Sequence, residues 1–217
     1  MAESLGLTST TSQPDNLVIN DQGISPIDIT LITGQNGARG DLLGQITDTT
    51  PTTGTADGGN TGDGTMTGVT AGGLQIQGTY VLECITAQAN AGIFKVLSPE
   101  EVQLDDATVA VPYVSDHLNF TLNDGAADFI VGDKFTVAVA AGSLKYNKSL
   151  AAAVDGSQNP VAILFRDTNA TAEDLLTKAY RAGEFESASL NLGAGHTVAS
   201  VTESLNNRGI YLTAGNA

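Results

Sequence analysis

KYNKSLAAAVDGSQNPVAILFRD, residues 145–167, carries the marks from which the fold of this 217-residue chain is read. Asp155-Gly156 is a turn signal, and Asn159-Pro160 closes the turn and launches a strand over 161–166. The apolar run of that strand is far too short to cross a bilayer. Downstream, 175–181 and 183–192 read as further strands. One amphipathic helix then follows: Thr197 can cap it, Val198, Val201 and Leu205 share a face, and Gly209 can close it. Arg208 sits by its last turn, where the macrodipole favours a cation, and Ile210-Tyr211-Leu212 offers a short apolar tail.

Upstream, residues 1–27 read as a flexible arm, polar and interrupted by Pro14 and Pro26. It carries short apolar groups: Leu17, Val18 and Ile19, then Ile24 and Ile27. Ile27, Ile29 and Leu31 alternate with Asp28 and Thr30, a strand period. An apolar strand joined to a disordered arm is a candidate for pairing with another chain. A strand over 41–47 follows. From 48 to 73, 17 of 26 residues are Thr or Gly, a composition expected to form a linker or long loop. Its 57–64 stretch fits neither the EF-hand nor the glycine-rich nonapeptide spacing.

The middle of the chain changes character. Strand-like alternation appears at 79–86, 92–97, 102–111, 117–122 and 134–140, with turn signals at Asn123-Asp124-Gly125 and Gly132-Asp133. Five strands at roughly ten-residue spacing predict a small all-β sandwich over about 74–141. The fold class is therefore mainly β with minor α. The expected organisation is an arm (1–27), a discontinuous core (28–61 and 142–217) and an inserted β-module (62–141).

Charge narrows function. Nine basic residues against 24 acidic ones give −15, and residues 1–94 hold a single cation, Arg39. Nucleic-acid binding needs clustered Lys and Arg, so neither direct nucleic-acid binding nor attachment to an anionic membrane is expected. Lone Cys84 excludes an intrachain disulfide framework and a Cys-based zinc site. The first residues lack the basic and apolar regions of a signal peptide, so synthesis in a cytoplasm is expected.

The order of the C-terminal features resembles the phage head decoration proteins of the lambda type. The resemblance rests on 145–167, on KAYRAGEFESASLNL (178–192), and on a helix ending in NNRGIYL, with RGDLLGQIT (39–47) as the strand that normally runs almost directly into the KY segment. It covers about 28–47 and 142–217; the middle segment departs from it as an insertion of a kind that recurs in phage structural proteins. Insertion at an exposed loop tip is the tolerated place for a second domain, and the resemblance implies that the module projects outward. It further implies a homotrimer on the outside of an expanded capsid, cementing the major capsid protein against internal pressure. The capsid-binding residues would be Leu17, Val18, Ile19, Ile24, Ile27, Ile29 and Leu31, and the trimer contacts Val161, Ile163, Phe165, Tyr180 and Phe185. Burial of arm side chains gives up to about 1.5–3 kcal/mol each, against roughly 2–5 kcal/mol or more for ordering the segment. Three arms on one trimer therefore hold far better than one.

Catalytic motifs do not emerge. There is no phosphate loop and no nucleophile elbow, and no cofactor or metal is expected. Gly34, Gly37 and Gly40 have the wrong spacing for a dinucleotide fingerprint. His117 reads as a solvent-facing strand residue, His196 as part of the loop before the helix, and Cys84 as a small buried side chain. Glu100-Glu101 and Asp105-Asp106 are neighbours on opposite strand faces rather than acid/base dyads. Arg39-Gly40-Asp41 spells an adhesion tripeptide that arises readily by chance. A second reading makes the middle module a binder of a host-surface glycan or protein; shallow carbohydrate sites use exposed aromatics, and the segment offers only Tyr80, Phe94, Tyr113, Phe120, Phe129 and Phe135, several of which alternate as core positions.

Overall fold

Period-two alternation governs most of the apolar runs, and the structure is accordingly built from short strands. The computed structural model describes residues 16–20, 24 and 26–214, and bears out the mainly β class with minor α. The chain begins with β1 (Val18–Asn20), β2 (Ile27–Leu31), β3 (Gln35–Gly37) and β4 (Leu42–Gln45). An excursion follows through β5 (Thr55–Ala56), β6 (Thr65–Ala71), β7 (Gly78–Gln88), β8 (Ala91–Leu97), β9 (Ala107–Thr108), β10 (Pro112–Val114), β11 (Leu118–Asn123) and β12 (Lys134–Val139). The chain returns in β13 (Tyr146–Lys148), β14 (Pro160–Leu164), β15 (Thr168–Ala170), β16 (Leu175–Tyr180) and β17 (Gly183–Glu186), then α1 (Val198–Asn206) and β18 (Ile210–Thr213).

Five strands close a barrel in the order β13-β2-β16-β14-β4. Alternation at Ile27, Ile29 and Leu31 turns Ile29 and Leu31 into it, where they meet Leu43, Tyr146, Val161, Ala162, Leu164 and Ala179. A second layer, the sheet β1-β17-β18 with α1, packs outside it around Leu42, Ile163, Phe185, Val201, Leu205 and Ile210. Strand β14 serves both layers: Ile163 faces the second, while Ala162 and Leu164 face the barrel. All five of its residues are buried, which is why 160–164 is a continuous apolar run instead of an alternating one.

The helix starts as the sequence predicts. Thr197 and Ser200 cap it reciprocally: Ser200 N–H donates to Thr197 Oγ1 at 3.2 Å, and Thr197 N–H to Ser200 Oγ at 2.9 Å. Val201 and Leu205 are fully buried, but Val198, expected on the same face, is 38 % exposed. Gly209 follows in the left-handed region at φ +78°, where a side chain would be strained.

The excursion forms a second body with a core of its own. The five-stranded sheet β5-β12-β7-β8-β9 and the three-stranded sheet β10-β11-β6 share one cluster, including Tyr80, Leu82, Phe94, Leu118, Phe120, Leu122, Phe129 and Phe135. Two expectations are corrected. Pairing of the module begins at a bridge between Asp48 and Ala141, earlier than the expected boundary at 62, and β5 and β6 are strands of its sheets. The Thr/Gly run is thus built into the module. A Cβ on Gly62 would lie 2.5 Å from Phe129 Cδ1, and one on Gly64 2.3 Å from Phe129 Cζ. These glycines let the backbone press on a buried ring. The expected strand over 102–111 is mostly loop, because Glu101 and Ala110 turn the chain at φ +61° and +64° and leave β9 two residues long.

Candidate functional site

The apolar leader is the first candidate, and most of its described part is packed on the protein's own body. Leu17 is 3 % exposed within the second layer, and its carbonyl accepts from Glu186 N–H at 3.0 Å. Val18 stands opposite Phe185 in the antiparallel pair β1–β17. Ile24 sits over Gly183, where a Cβ would lie 2.5 Å from Ile24 Cδ1. Ile27 packs against the barrel cluster; Ile29 and Leu31, at 3 % and 1 % exposed, are inside it. Of the seven residues expected to meet the capsid, Ile19 is the exposed one, at 47 %. The expectation of an arm free through residue 27 is therefore corrected: these side chains already have partners in the folded chain. The rest of the arm, residues 1–15, 21–23 and 25, lies outside the described residues.

The five side chains expected to form a trimer contact come together, but inward. Ile163 and Phe185 are 0 % exposed, and Val161 and Tyr180 are 6 % exposed. Phe165, half-buried, meets Tyr180 edge-on at 5.2 Å, and Tyr180 meets Phe185 at 5.2 Å. On the single chain, four of the five therefore leave little surface exposed, and Phe165 leaves the most.

Charge is neutralised locally. All five lysines are in ion pairs: Lys95 and Lys134 with Glu83, Lys145 with Asp174, Lys148 with Asp41 and Lys178 with Asp28. Asp41 is the buried member, 2 % exposed, and also accepts from Ala38 N–H at 2.9 Å. The Lys145 ammonium and then the Thr33 N–H hold the Asp174 carboxyl below its ordinary value. Asp133 is 3 % exposed. Burial pushes its carboxyl up, but N–H donors from Thr61, Gly62 and Ile130 outweigh that and hold it low. One carboxylate thus anchors the Thr/Gly run.

The sites of possible chemistry fall into structural roles. Cys84 is fully buried, and burial pushes its thiol up, away from a nucleophilic thiolate. His117 is half-buried rather than solvent-facing, with Nδ1 3.0 Å from the Tyr80 hydroxyl. His196 lies in the loop before α1 as expected, its Nε2 3.1 Å from the buried Ser149 hydroxyl. Sequence reasoning missed both contacts, because the partners are 37 and 47 residues away with no motif between them. The six module aromatics on which a glycan site would have to draw are all core residues, none more than 6 % exposed. Among the described residues no group of three or more His, Cys, Asp or Glu could hold a metal ion. No helix among them is long and apolar enough to cross a membrane.

The described residues thus form a closed barrel, a packed leader strand and one capped helix, with a second β body inserted between β4 and β13. The chain belongs to a family of phage head proteins. The family is that of the bacteriophage lambda head decoration protein D, whose model matches residues 6–210, the inserted body included. No curated protein sequence matches the chain. Two crystal structures of FlgL from Xanthomonas campestris, in space groups H3 and C2, align at 14 % and 15 % identity. The alignments cover 48 % and 49 % of this chain and 33 % of the FlgL chain, with a TM-score of 0.33, a likeness too slight to carry an argument.

Proposed function

We propose that the protein is a trimeric decoration protein that binds the outside of an expanded phage head through the major capsid protein and cements it against internal pressure. The observation that carries this reading is the family match, which runs through 205 of the 217 residues, from 6 to 210. The fold is compatible with it: β1 stands at the edge of the sheet β1-β17-β18, so the segment before it enters the body where a strand can be extended onto a neighbouring sheet. Strand addition draws its affinity from main-chain hydrogen bonds, and three such segments on one trimer act as a linked set. On this reading the shell-binding part of the arm is residues 1–15, since Leu17, Ile29 and Leu31 are buried in the body and Ile19 is exposed.

Deletion of residues 1–15 tests the arm, because it spares every leader side chain that the body buries. The shortened chain is expected to keep its circular dichroism and its trimeric mass by light scattering while losing sedimentation with expanded heads. Unimpaired sedimentation would remove the arm from the mechanism, and a monomer in the parent chain at micromolar concentration would remove the trimer.

A further inference from the structure

The two sheets of the inserted module turn different outer faces to their surroundings. On β11, Leu118, Phe120 and Leu122 are buried, and Asn119, Thr121 and Asn123 alternate with them. That is the apolar-in, polar-out pattern of an antiparallel sheet with one wet face. The larger sheet departs from it. Tyr80, Leu82 and Cys84 on β7 and Phe94 and Val96 on β8 are buried, so alternation turns Val81, Ile93 and Leu97 outward. Val81 and Leu97 stand opposite each other across the strand pair, and Ile85, at a register shift between Cys84 and Thr86, is 41 % exposed. None of these four aliphatic side chains belongs to the module's core cluster. Lys95 and Lys134 flank Glu83 on the same outer side, at 3.3 and 3.7 Å. They are the only basic residues between 48 and 141, so this face carries a net +1 while the rest of the module holds eleven carboxylates and no Lys or Arg.

We infer that this aliphatic, cationic sheet face binds a second copy of the chain, against the acidic loops of that copy's module around 100–116; the inference rests on the trimeric reading above. The complementary surface is present on the same chain. Glu100, Glu101, Asp105, Asp106 and Asp116 are exposed, and Asp105 and Asp116 line one cleft. In the same loops Val102, Val111 and Val114 are 53–76 % exposed. Setting the two lysines against these carboxylates, and the four aliphatic side chains against the three valines, satisfies charge and apolar burial in one contact. Copies that each carry −15 repel one another in most orientations, and this pairing is one that brings opposite charges together. Because two different patches meet, the contact is head-to-tail, the kind that closes a ring of copies when the rotation between them fits. Three modules in such a ring would cover the face that each leaves bare alone.

The test uses the full chain. An equal mixture of light and heavy-isotope protein, treated with a carbodiimide that joins lysine to carboxylate, is expected to give mixed-isotope cross-links from Lys95 or Lys134 to carboxylates within 100–116. Lys95→Glu combined with Lys134→Glu should raise the trimer's dissociation constant, read by sedimentation equilibrium, by about a hundredfold or more, with circular dichroism unchanged. Lys178→Glu combined with Arg181→Glu makes the same change in net charge on the barrel side, and should raise that constant by less than about tenfold because salt screens charges remote from the contact. A parent chain that is monomeric at micromolar concentration would overturn the trimer and this contact together. A stable trimer that gives no mixed-isotope links at Lys95 or Lys134, that withstands the first double variant, or that dissociates equally in both, would leave the trimer standing and overturn the contact, giving the sheet face to a different partner.

Discussion

The barrel with its second layer and the inserted module both bury short strands, but with different side chains and different edges. The barrel side is mostly aliphatic, with Leu31, Leu42, Leu43, Ile163 and Leu164 among its most buried residues, and its strands close on themselves. The module packs rings: Phe94, Phe129 and Phe135 meet with centroids 5.0 to 6.0 Å apart, and Tyr113 stacks on Phe120 at 4.6 Å. Its larger sheet ends in the two-residue strands β5 and β9, edges too short to template another chain. Charge divides as well. Residues 48–141 hold 12 acidic and 2 basic residues, a net −10, leaving 12 acidic and 7 basic, a net −5, for the rest. Two bodies with separate cores therefore present unequal surfaces, the module's strongly anionic and suited to staying soluble at high local density.

Perturbations aimed at one body should be felt mainly there. The largest effect is expected from Phe129→Ala, which removes the ring wedged between Gly62, Gly64, Phe94 and Phe135. It should cost about 3–5 kcal/mol and melt the module in a separate calorimetric transition while barrel amides stay protected from exchange. A single undivided transition would mean that the two cores are one unit. Asp133→Asn should cost about 2 kcal/mol by weakening three charge-assisted bonds. Because the folded value of Asp133 lies below its ordinary one, its contribution is complete above the ordinary carboxylate range and is lost as pH falls through the depressed value. The variant's deficit, measured by urea titration, should therefore shrink in strong acid.

On the barrel side, Lys148→Met leaves the buried Asp41 carboxylate without its cation. About 2 kcal/mol is expected, less than for a fully buried pair because the lysine side chain is 36 % exposed. Barrel amides should lose protection and module amides keep it; loss in both would break the division. The smallest effect is expected from Lys178→Ala, whose partner Asp28 is 63 % exposed. Less than about 1 kcal/mol should be lost, and a larger denaturant shift would show that this exposed pair has a role in closing β2 against β16.

Legibility followed the range of the forces involved. The helix was readable because its cap and its buried Val201 and Leu205 lie within three turns of one another. The strand β2 was readable from the alternation of Ile27, Ile29 and Leu31. Val198 shows the limit of a face drawn by spacing, since the layer covers Val201 and Leu205 and stops short of the first turn. The Thr/Gly run misled because composition describes how a segment behaves alone, whereas Phe129 and Asp133, about seventy residues away, determine what it does here. The candidate site fared likewise: its apolar residues were found, but their direction, into the chain's own layers, was not.

The amino-acid order by itself determined the β-rich class, the single capped helix, the anionic character and the family, because periodicity, capping, charge and motif order are local or additive properties. Tertiary structure alone decided that Leu17, Val18 and Ile24 pack on the body, that β5 and β6 belong to the module, and that Gln75 reaches Thr49 and Val154 while Tyr80 meets His117. Each of those outcomes depends on close packing or a directed hydrogen bond between residues distant in the chain, and such contacts exist only once the layers have assembled.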